Sequence, residues 1–193
     1  MPMKVEVQST ELDAVLEVRT GRVADDRGFF AETHSVEMWR QAGFEAEFVQ
    51  DNLSKSRQGT LRGMHFQIAP HAMGKLVRCV QGAVFDVAVD LRAGSATYGK
   101  WVGRELTGDG DLCLWIPEGF AHGFLALEDE TLVHYKCTDM HAPETERALH
   151  YADPDVGIEW PIEPSIVTQK DAEAPRLLWC RKARARAFAS TTA

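Results

Sequence analysis

Short runs in which apolar residues alternate with charged or small ones fill the middle of the chain. Alternation with a period of two is typical of half-buried β-strands. The runs recur about every ten residues between glycine-rich or acidic turns, a spacing that predicts an antiparallel sandwich or barrel rather than alternating strand–helix units. In order, they read LVRCV, AVFDVAVDL, KWVGREL, DLCLWI, GFLAL and TLVHYKC.

The two ends of the chain carry other patterns. Residues 4–22 alternate loosely and predict a strand, whereas residues 36–42 (VEMWRQA) are the first stretch with helical spacing. Beyond Met140, proline, acidic residues and histidine predict loops that wrap the sheet, followed by a weak helical tail. We therefore expect a single domain over 1–193, made of an N-terminal arm at 1–44, a barrel core at about 45–140 and the wrapping loops and tail at 141–193.

Composition narrows the class of protein. With 193 residues, 45% of them hydrophobic and 26% charged, the chain is near the globular average, which excludes wholesale disorder. A net charge of -8 disfavours nucleic-acid binding. No apolar run approaches the roughly 20 residues of a membrane helix, and the N-terminus lacks the apolar block of a secretory signal. The basic cluster near the C-terminus is interpreted as a solvated helix; it comprises Arg181, Lys182, Arg184 and Arg186.

The cysteines indicate the redox setting. Cys79, Cys113, Cys137 and Cys180 stand far apart, and no two form a CxxC pair. This usage predicts reduced, mostly structural thiols in a cytoplasmic protein.

Five polar residues fall on or beside the predicted strands of this small barrel. They occur in LRGMHFQ, GKLVRCV, PEGFAHGF and LVHYKC, and they are Arg62, His65, Lys75, His122 and Tyr135. A lone histidine or tyrosine is most often a hydrogen-bonded core residue. Five such groups in one barrel instead indicate a cavity with convergent polar side chains, which is the usual form of a ligand site.

The alternation of a strand also predicts which side chains point together around His65. Arg62 and Met64 should lie on one face and Leu61, Gly63 and His65 on the other, unless Gly63 marks a bulge.

PEGFAHGF resembles the second motif of the cupin barrels, some of which bind a metal. In metal-binding cupins the first motif supplies HxH and a downstream glutamate. The corresponding place here holds His65-Phe66-Gln67, and His71 follows Pro70 in a predicted turn. Two credible ligands where three are normally needed disfavour a catalytic metal, so we expect no metal site.

Seven segments resemble, in order and spacing, the dTDP-4-dehydrorhamnose 3,5-epimerase family. They run from about Gly21 to Asp171 and read DDRGFFAE, FVQDNLSKSRQGTLRGMHFQ, GKLVRCVQGAVFDVAVDLR, YGKWVGREL, LWIPEGFAHGFLAL, YKCTD and IVTQKD. The resemblance implies an all-β, antiparallel jelly-roll (cupin-type) barrel with short peripheral helices, free of cofactors. It also implies a homodimer whose N-terminal arms cross between subunits, and epimerisation of a dTDP-linked 4-keto-6-deoxyhexose on the pathway to dTDP-L-rhamnose.

The reaction implied by the resemblance can be checked against the residues. C3 and C5 of the sugar both adjoin the C4 ketone, so epimerisation needs a base, an acid on the opposite face and a cation near O4. By resemblance His65 is the base, Asp171 supports it, Lys75 stabilises the enolate and Tyr135 is the acid.

Binding roles follow in the same way. Arg62 and Arg27 suit the diphosphate, because guanidinium groups pair well with phosphate oxygens. Phe30 and Glu32 alternate onto one predicted strand face, where they suit a stack on the base and a hydrogen bond to it. The family contacts nucleotide or sugar at further positions that correspond to Gln50, Asp51, Asn52, His122, Glu146 and Lys170. Without the resemblance, Arg27 and Lys170 are interpreted equally well as surface charges, and for Glu146, in a charged loop, the surface interpretation is the stronger one.

One departure from the family pattern leaves alternatives open. The family usually carries an aromatic pair before Ala-Pro, where this chain has Met140-His141. The substitution allows an epimerase that inverts only C3 or only C5, or one that acts on a related sugar. A metal-dependent cupin using His65 and His122, and a binding barrel without catalysis, are the alternatives from other classes.

Overall fold

The computed structural model describes residues 4–178. The elements formed by these residues are the strands β1 (Val5–Ser9), β2 (Leu16–Thr20), β3 (Val23–Asp25), β4 (Gly28–Phe30), β5 (Gln50–Ser56), β6 (Leu61–Gln67), β7 (Lys75–Gln81), β8 (Ala83–Asp90), β9 (Trp101–Thr107), β10 (Leu112–Ile116), β11 (Phe120–Ala126), β12 (Thr131–Cys137) and β13 (Glu146–Ala148), and the helices α1 (Val36–Gln41) and α2 (Gln169–Ala172).

Two antiparallel sheets form the barrel. One has the strand order β1-β2-β10-β7-β12-β5, the other the order β13-β6-β11-β8-β9, and β3 and β4 pair separately as a hairpin. The main core joins inward-facing side chains of both sheets, such as Val77 and Val133 from the first and Val84, Leu106 and Phe124 from the second. This arrangement confirms the all-β jelly-roll barrel with short peripheral helices.

Strand β8 is buried on both faces. Val84 and Ala88 face the barrel interior, whereas Val87 and Val89 belong to an outer cluster that includes Leu149. The outer cluster exists because residues beyond β12, such as Leu149 and Val156, pack against the five-stranded sheet. A strand covered on both sides reads as a nearly continuous apolar run, and this is the pattern of AVFDVAVDL.

The N-terminal region is divided between the barrel and a separate hairpin. The single strand predicted at residues 4–22 is in fact the hairpin β1–β2, because Thr10 and Val15 close a turn in which Thr10 N donates to Val15 O at 3.0 Å. Strand β2 pairs with β10, so this part of the expected arm belongs to the six-stranded sheet. The predicted helix at 36–42 is confirmed as α1, whose Trp39 is buried against the outer face of that sheet. No helix within residues 4–178 is long and apolar enough to cross a membrane.

The cysteines within the described residues fit the prediction of structural thiols. Cys79, Cys113 and Cys137 are buried and unpaired. Cys180, the basic cluster and the predicted helical tail lie beyond Leu178 and thus outside the described residues.

Candidate active site

Strand β6 supplies two residues to the same cavity because its alternation breaks at Gly63. His65 stands opposite His122 and Arg62 opposite Phe124, so the register with β11 shifts between them. Gly63 has a φ of 134°, a backbone conformation that side chains disfavour, and a Cβ there would lie 2.5 Å from the Cα of Gly123. The two glycines therefore permit a bulge. Simple alternation, which separates Arg62 from His65, is wrong, and the bulged alternative is confirmed.

The barrel interior holds two adjoining cavities. The inner one, of about 300 Å³, is lined by Ser54, Arg62, His65, Lys75, His122, Phe124, Tyr135, Thr168, Lys170 and Asp171. The outer one, of about 460 Å³, is lined by Gln50, Asn52, His65, Phe66, Gln67, Met73, Lys75, Tyr135, Cys137, His141 and Glu146. His65, Lys75 and Tyr135 line both cavities, so the junction between the cavities is where these three side chains meet.

His65 is held by Asp171 across the barrel mouth. His65 Nε2 lies 2.6 Å from Asp171 Oδ1, and Asp171 is only 2% exposed. The short helix α2 presents this carboxylate, and Thr168 caps the helix by accepting a hydrogen bond from the Asp171 backbone at 3.3 Å. Because a carboxylate accepts hydrogen bonds, Nε2 carries the ring hydrogen and Nδ1 of the neutral ring is left to accept a proton.

Lys75 and Tyr135 face each other from neighbouring strands of the six-stranded sheet. The Lys75 ammonium lies 5.9 Å from the centre of the Tyr135 ring. Burial lowers the pKa of Lys75 from its ordinary value. Burial also raises the pKa of Tyr135, so its phenol keeps its proton at neutral pH and can donate it.

A second buried histidine–carboxylate pair lies in the inner cavity. His122 Nε2 lies 2.7 Å from Oδ1 of Asp86. Burial lowers the pKa of His122, which favours the neutral ring. Sequence reasoning missed Asp86, although its place between Val84 and Ala88 in the strand alternation puts a carboxylate on an inward face. Across residues 4–178, no three His, Cys, Asp or Glu side chains are arranged to hold a metal ion.

Glu146 lines the outer cavity and pairs with two basic side chains. Its carboxylate pairs with the Lys170 ammonium at 2.8 Å and lies 3.6 Å from His141 Nε2. Burial alone would raise the pKa of Glu146, but the hydrogen bond from Lys170 holds it below its usual value. The Gln50 side chain accepts a hydrogen bond from the His141 backbone at 3.0 Å, and Asn52 lies along the same wall of the cavity. His141 departs from the family pattern in the sequence, and the structure adds it to the lining of the outer cavity.

Four residues expected at the site lie elsewhere in this chain. Asp51 points to the outer face of the six-stranded sheet, where it accepts a hydrogen bond from Lys136 at 2.8 Å. Its neighbours Gln50 and Asn52 face inward, as strand alternation requires. The other three are in or just after the β3–β4 hairpin and line neither cavity; they are Arg27, Phe30 and Glu32.

The hairpin also corrects one detail of the sequence analysis. Strand β4 ends at Phe30, so the single strand face predicted for Phe30 and Glu32 is not formed. Arg27 pairs with Asp25 and its side chain is 90% exposed, while Phe30 is 66% exposed.

Fold and cavity together define a cupin-type barrel that carries acid–base groups in its interior. The family model for dTDP-4-dehydrorhamnose 3,5-epimerase matches residues 9–178, and the chain belongs to this family. The dTDP-4-dehydrorhamnose 3,5-epimerase of Shigella flexneri is 46% identical over 173 residues, which cover 89% of this chain and 96% of that protein.

Two further comparisons bear on the reaction. A dTDP-6-deoxy-D-glucose-3,5-epimerase from Legionella pneumophila, solved in complex with dTDP-4-keto-L-rhamnose, has a TM-score of 0.85 and 42% identity, and the match covers 90% of this chain and 93% of that one. A relative from Streptomyces niveus, 38% identical over 89% of this chain and 84% of its own length, is a dTDP-4-dehydrorhamnose 3-epimerase.

Proposed function

We propose that the protein is an isomerase that epimerises C3 and C5 of dTDP-4-dehydro-6-deoxy-D-glucose, giving dTDP-4-dehydro-L-rhamnose. The observation that carries the proposal is the convergence of His65 with its partner Asp171, Lys75 and Tyr135 around one cavity junction. A base, a cation and a phenol in one partly enclosed space are the groups that proton transfer beside a ketone requires.

Each epimerisation proceeds through an enolate. Nδ1 of His65 takes the proton from C3 or C5, and the electron pair of that C–H bond moves through the ring carbons onto O4. The Lys75 ammonium stabilises the negative charge on O4, a contribution of about 3–4 kcal/mol for one well-placed donor. Tyr135 then returns a proton to the opposite face of the same carbon, which inverts it. Solvent exchange restores the proton of Tyr135 and removes the one on His65.

The remaining cavity residues suit the nucleotide and the sugar. Arg62 lines the inner cavity, where its guanidinium can meet the diphosphate. Gln50, Asn52 and Glu146 supply hydrogen-bonding groups along the outer cavity, with His122 and Lys170 in the inner one. We assign no cofactor to this scheme, because the proton transfers balance without one.

Proton NMR of the substrate in heavy water tests the proposal. The signals at C3 and C5 of dTDP-4-keto-6-deoxyglucose are followed separately during incubation with the protein. We expect both signals to disappear as the protons exchange, and replacement of His65 by Ala to abolish both exchanges. If neither signal changes with the intact protein, the assigned activity is wrong.

The same experiment separates a second candidate, an epimerase that inverts one carbon only. Met140-His141 replaces the aromatic pair usual in the family, and His141 lines the outer cavity. The 38% identity to a 3-epimerase is compatible with this alternative. Loss of the C3 signal alone, or of the C5 signal alone, would establish a single inversion.

We further propose a homodimer in which the β3–β4 hairpin reaches the partner's cavity. The proposal is supported by the hairpin's exposed apolar side chains, Phe29 at 58% and Phe30 at 66%. It is also supported by the free edge of the six-stranded sheet, where Leu53 on β5 is 65% exposed. Unpaired strand edges with apolar side chains favour association with another chain. In this arrangement Arg27, Phe30 and Glu32 act on the partner's substrate.

Mixed dimers provide the test of this exchange. A dimer that pairs a His65→Ala chain with a Phe30→Ala chain carries both defects in one site and neither in the other. If arms are exchanged, mixing the inactive His65→Ala chain with the weakened Phe30→Ala chain gives one intact site per mixed dimer and restores up to half of the native activity per dimer. No recovery, or a monomer by light scattering, would refute the exchange.

The unpaired cysteines support action in the cytoplasm, which fractionation of cells would check.

A further inference from the structure

The carboxylate of Asp86 is buried beside the cavity residue His122 without a complete set of partners. Asp86 is 0% exposed and its Oδ1 lies 2.7 Å from His122 Nε2. Among residues 4–178, its Oδ2 has no hydrogen-bond partner. A buried carboxylate oxygen without a partner is costly and requires an explanation. The reaction steps assigned above leave Asp86 without a role.

The ammonium of Lys75 supplies the positive charge that compensates the buried carboxylate of Asp86. No carboxylate among the described residues comes within salt-bridge distance of its ammonium, yet Asp86 attracts it and raises its pKa against the larger effect of burial. In an interior of low dielectric, opposite charges influence each other without direct contact.

The other acidic side chains around Lys75 are either paired with another side chain or uncharged. The titratable or charged side chains that line the cavities with Lys75 or act on its charge are Arg62, His65, Asp86, His122, Tyr135, Cys137, Glu146, Lys170 and Asp171. Asp171 is bonded to His65 at 2.6 Å. Glu146 is paired with Lys170 at 2.8 Å, and burial raises the pKa of Cys137, which leaves a neutral thiol. Asp86 is therefore the carboxylate whose charge is available to Lys75.

We propose that Asp86 is a positioning residue that sets the states of His122 and Lys75, a role that rests on the epimerase function proposed above. Its hydrogen bond holds His122 as the neutral tautomer with hydrogen on Nε2, which leaves Nδ1 to accept a hydrogen bond from a sugar hydroxyl. Its negative charge keeps Lys75 protonated up to the pH at which the enolate must be stabilised.

The variant Asp86→Asn separates charge from shape. The amide oxygen can still accept the hydrogen bond from His122 Nε2, but the negative charge is gone. The cationic form of Lys75 is then lost at lower pH, so the alkaline limb of the kcat/KM profile moves to lower pH. We expect the ratio of kcat/KM at about pH 9 to that at neutral pH to fall roughly tenfold relative to the native protein. Asp86→Leu, which cannot hold His122, should raise KM as well.

Asp90 provides a matched control on the same strand. It is also 0% exposed, but it is bonded to Arg92 at 2.7 Å and lines neither cavity. Asp90→Asn should destabilise the fold and leave the position of the alkaline limb unchanged. A limb unmoved in Asp86→Asn, or moved equally in both variants, would overturn the role assigned to the charge of Asp86.

A measurement without substrate makes the inference independent of the activity. NMR of protein carrying ¹⁵N-labelled histidine reports which nitrogen of His122 bears hydrogen. We expect hydrogen on Nε2 between about pH 6 and 8 in the native protein. Hydrogen on Nδ1 would overturn the tautomer assignment. If the native protein converts no substrate, the proposed function fails while this test still stands.

Discussion

Replacing Asp171 by Asn keeps the size of the side chain and removes the negative charge beside His65. Nε2 of His65 lies 2.6 Å from the carboxylate, and Asp171 is 2% exposed, so water provides little screening. When His65 takes the substrate proton, its ring becomes a cation. The ring and the carboxylate then form an ion pair that exists only after proton transfer, and an interaction of this kind lowers the barrier.

The expected loss follows from the geometry. Opposite charges about 4 Å apart attract by about 4 kcal/mol at an effective dielectric of about 20. Removing this attraction should slow proton abstraction by roughly 10³-fold, since each 1.4 kcal/mol is a factor of about ten. The amide of Asn can also donate to Nε2, which places the ring hydrogen on Nδ1 and leaves that nitrogen unable to accept the substrate proton.

The assay is the initial rate at which the C3 and C5 protons of the substrate exchange in heavy water. Asp139→Asn is the matched control, because Asp139 contacts His71 at 3.2 Å and lines neither cavity. Thermal unfolding verifies that both variants remain folded. If Asp171→Asn exchanges within about threefold of the native rate, the cost calculated for the lost charge is wrong and His65 does not act through Asp171.

Three further predictions concern single side chains. Tyr135→Phe removes the acid but not the base, so exchange by His65 should persist while inverted product falls by roughly 10²–10³-fold; inversion at the native rate would contradict this. Lys75→Met should lower the exchange rate by roughly 10²–10³-fold, because the enolate loses its stabilising cation; exchange within about threefold of the native rate would contradict the role of Lys75. Burial would raise the pKa of Asp90, but hydrogen bonds from Arg92 and two hydroxyls hold it well below its usual value. The stability that this carboxylate provides is therefore present above about pH 4 and lost as pH falls further, so Asp90→Asn should cost about 2 kcal/mol at neutral pH and progressively less in acid. An equal cost at all pH values would refute this linkage.

Several strands of the barrel were predictable because they are half buried, and a half-buried strand alternates apolar and polar residues. Strand β8 is buried on both faces and shows a nearly continuous apolar run instead. Alternation along β12 puts Tyr135 on the same face as Val133, which lies in the main core. The exception on β6 needed knowledge of the partner strand, since a bulge depends on the space that Gly123 leaves opposite Gly63.

The contact between His65 and Asp171 could not be predicted from the periodicity of the sequence. The two residues are 106 positions apart, and Asp171 lies in a helix of four residues that no periodicity could reveal. Only the family resemblance indicated it. The hairpin that carries Arg27 and Phe30 was equally beyond pattern analysis, because its exposed side chains follow no buried face within one chain.

Gly63 and Gly123 are far apart in the sequence, but their close approach in space limits which residues either position can hold. A methyl group at position 123 would meet the Met64 sulphur at 2.6 Å and the Arg62 carbonyl at 2.8 Å, just as one at position 63 would meet Gly123. Either substitution moves the backbone that aims both Arg62 and His65. Directed evolution of this barrel toward other sugars therefore has little freedom at these two positions, although neither has a side chain that could touch a substrate. Libraries are better aimed at the outer cavity, where His141 and Met73 can change size without moving a strand.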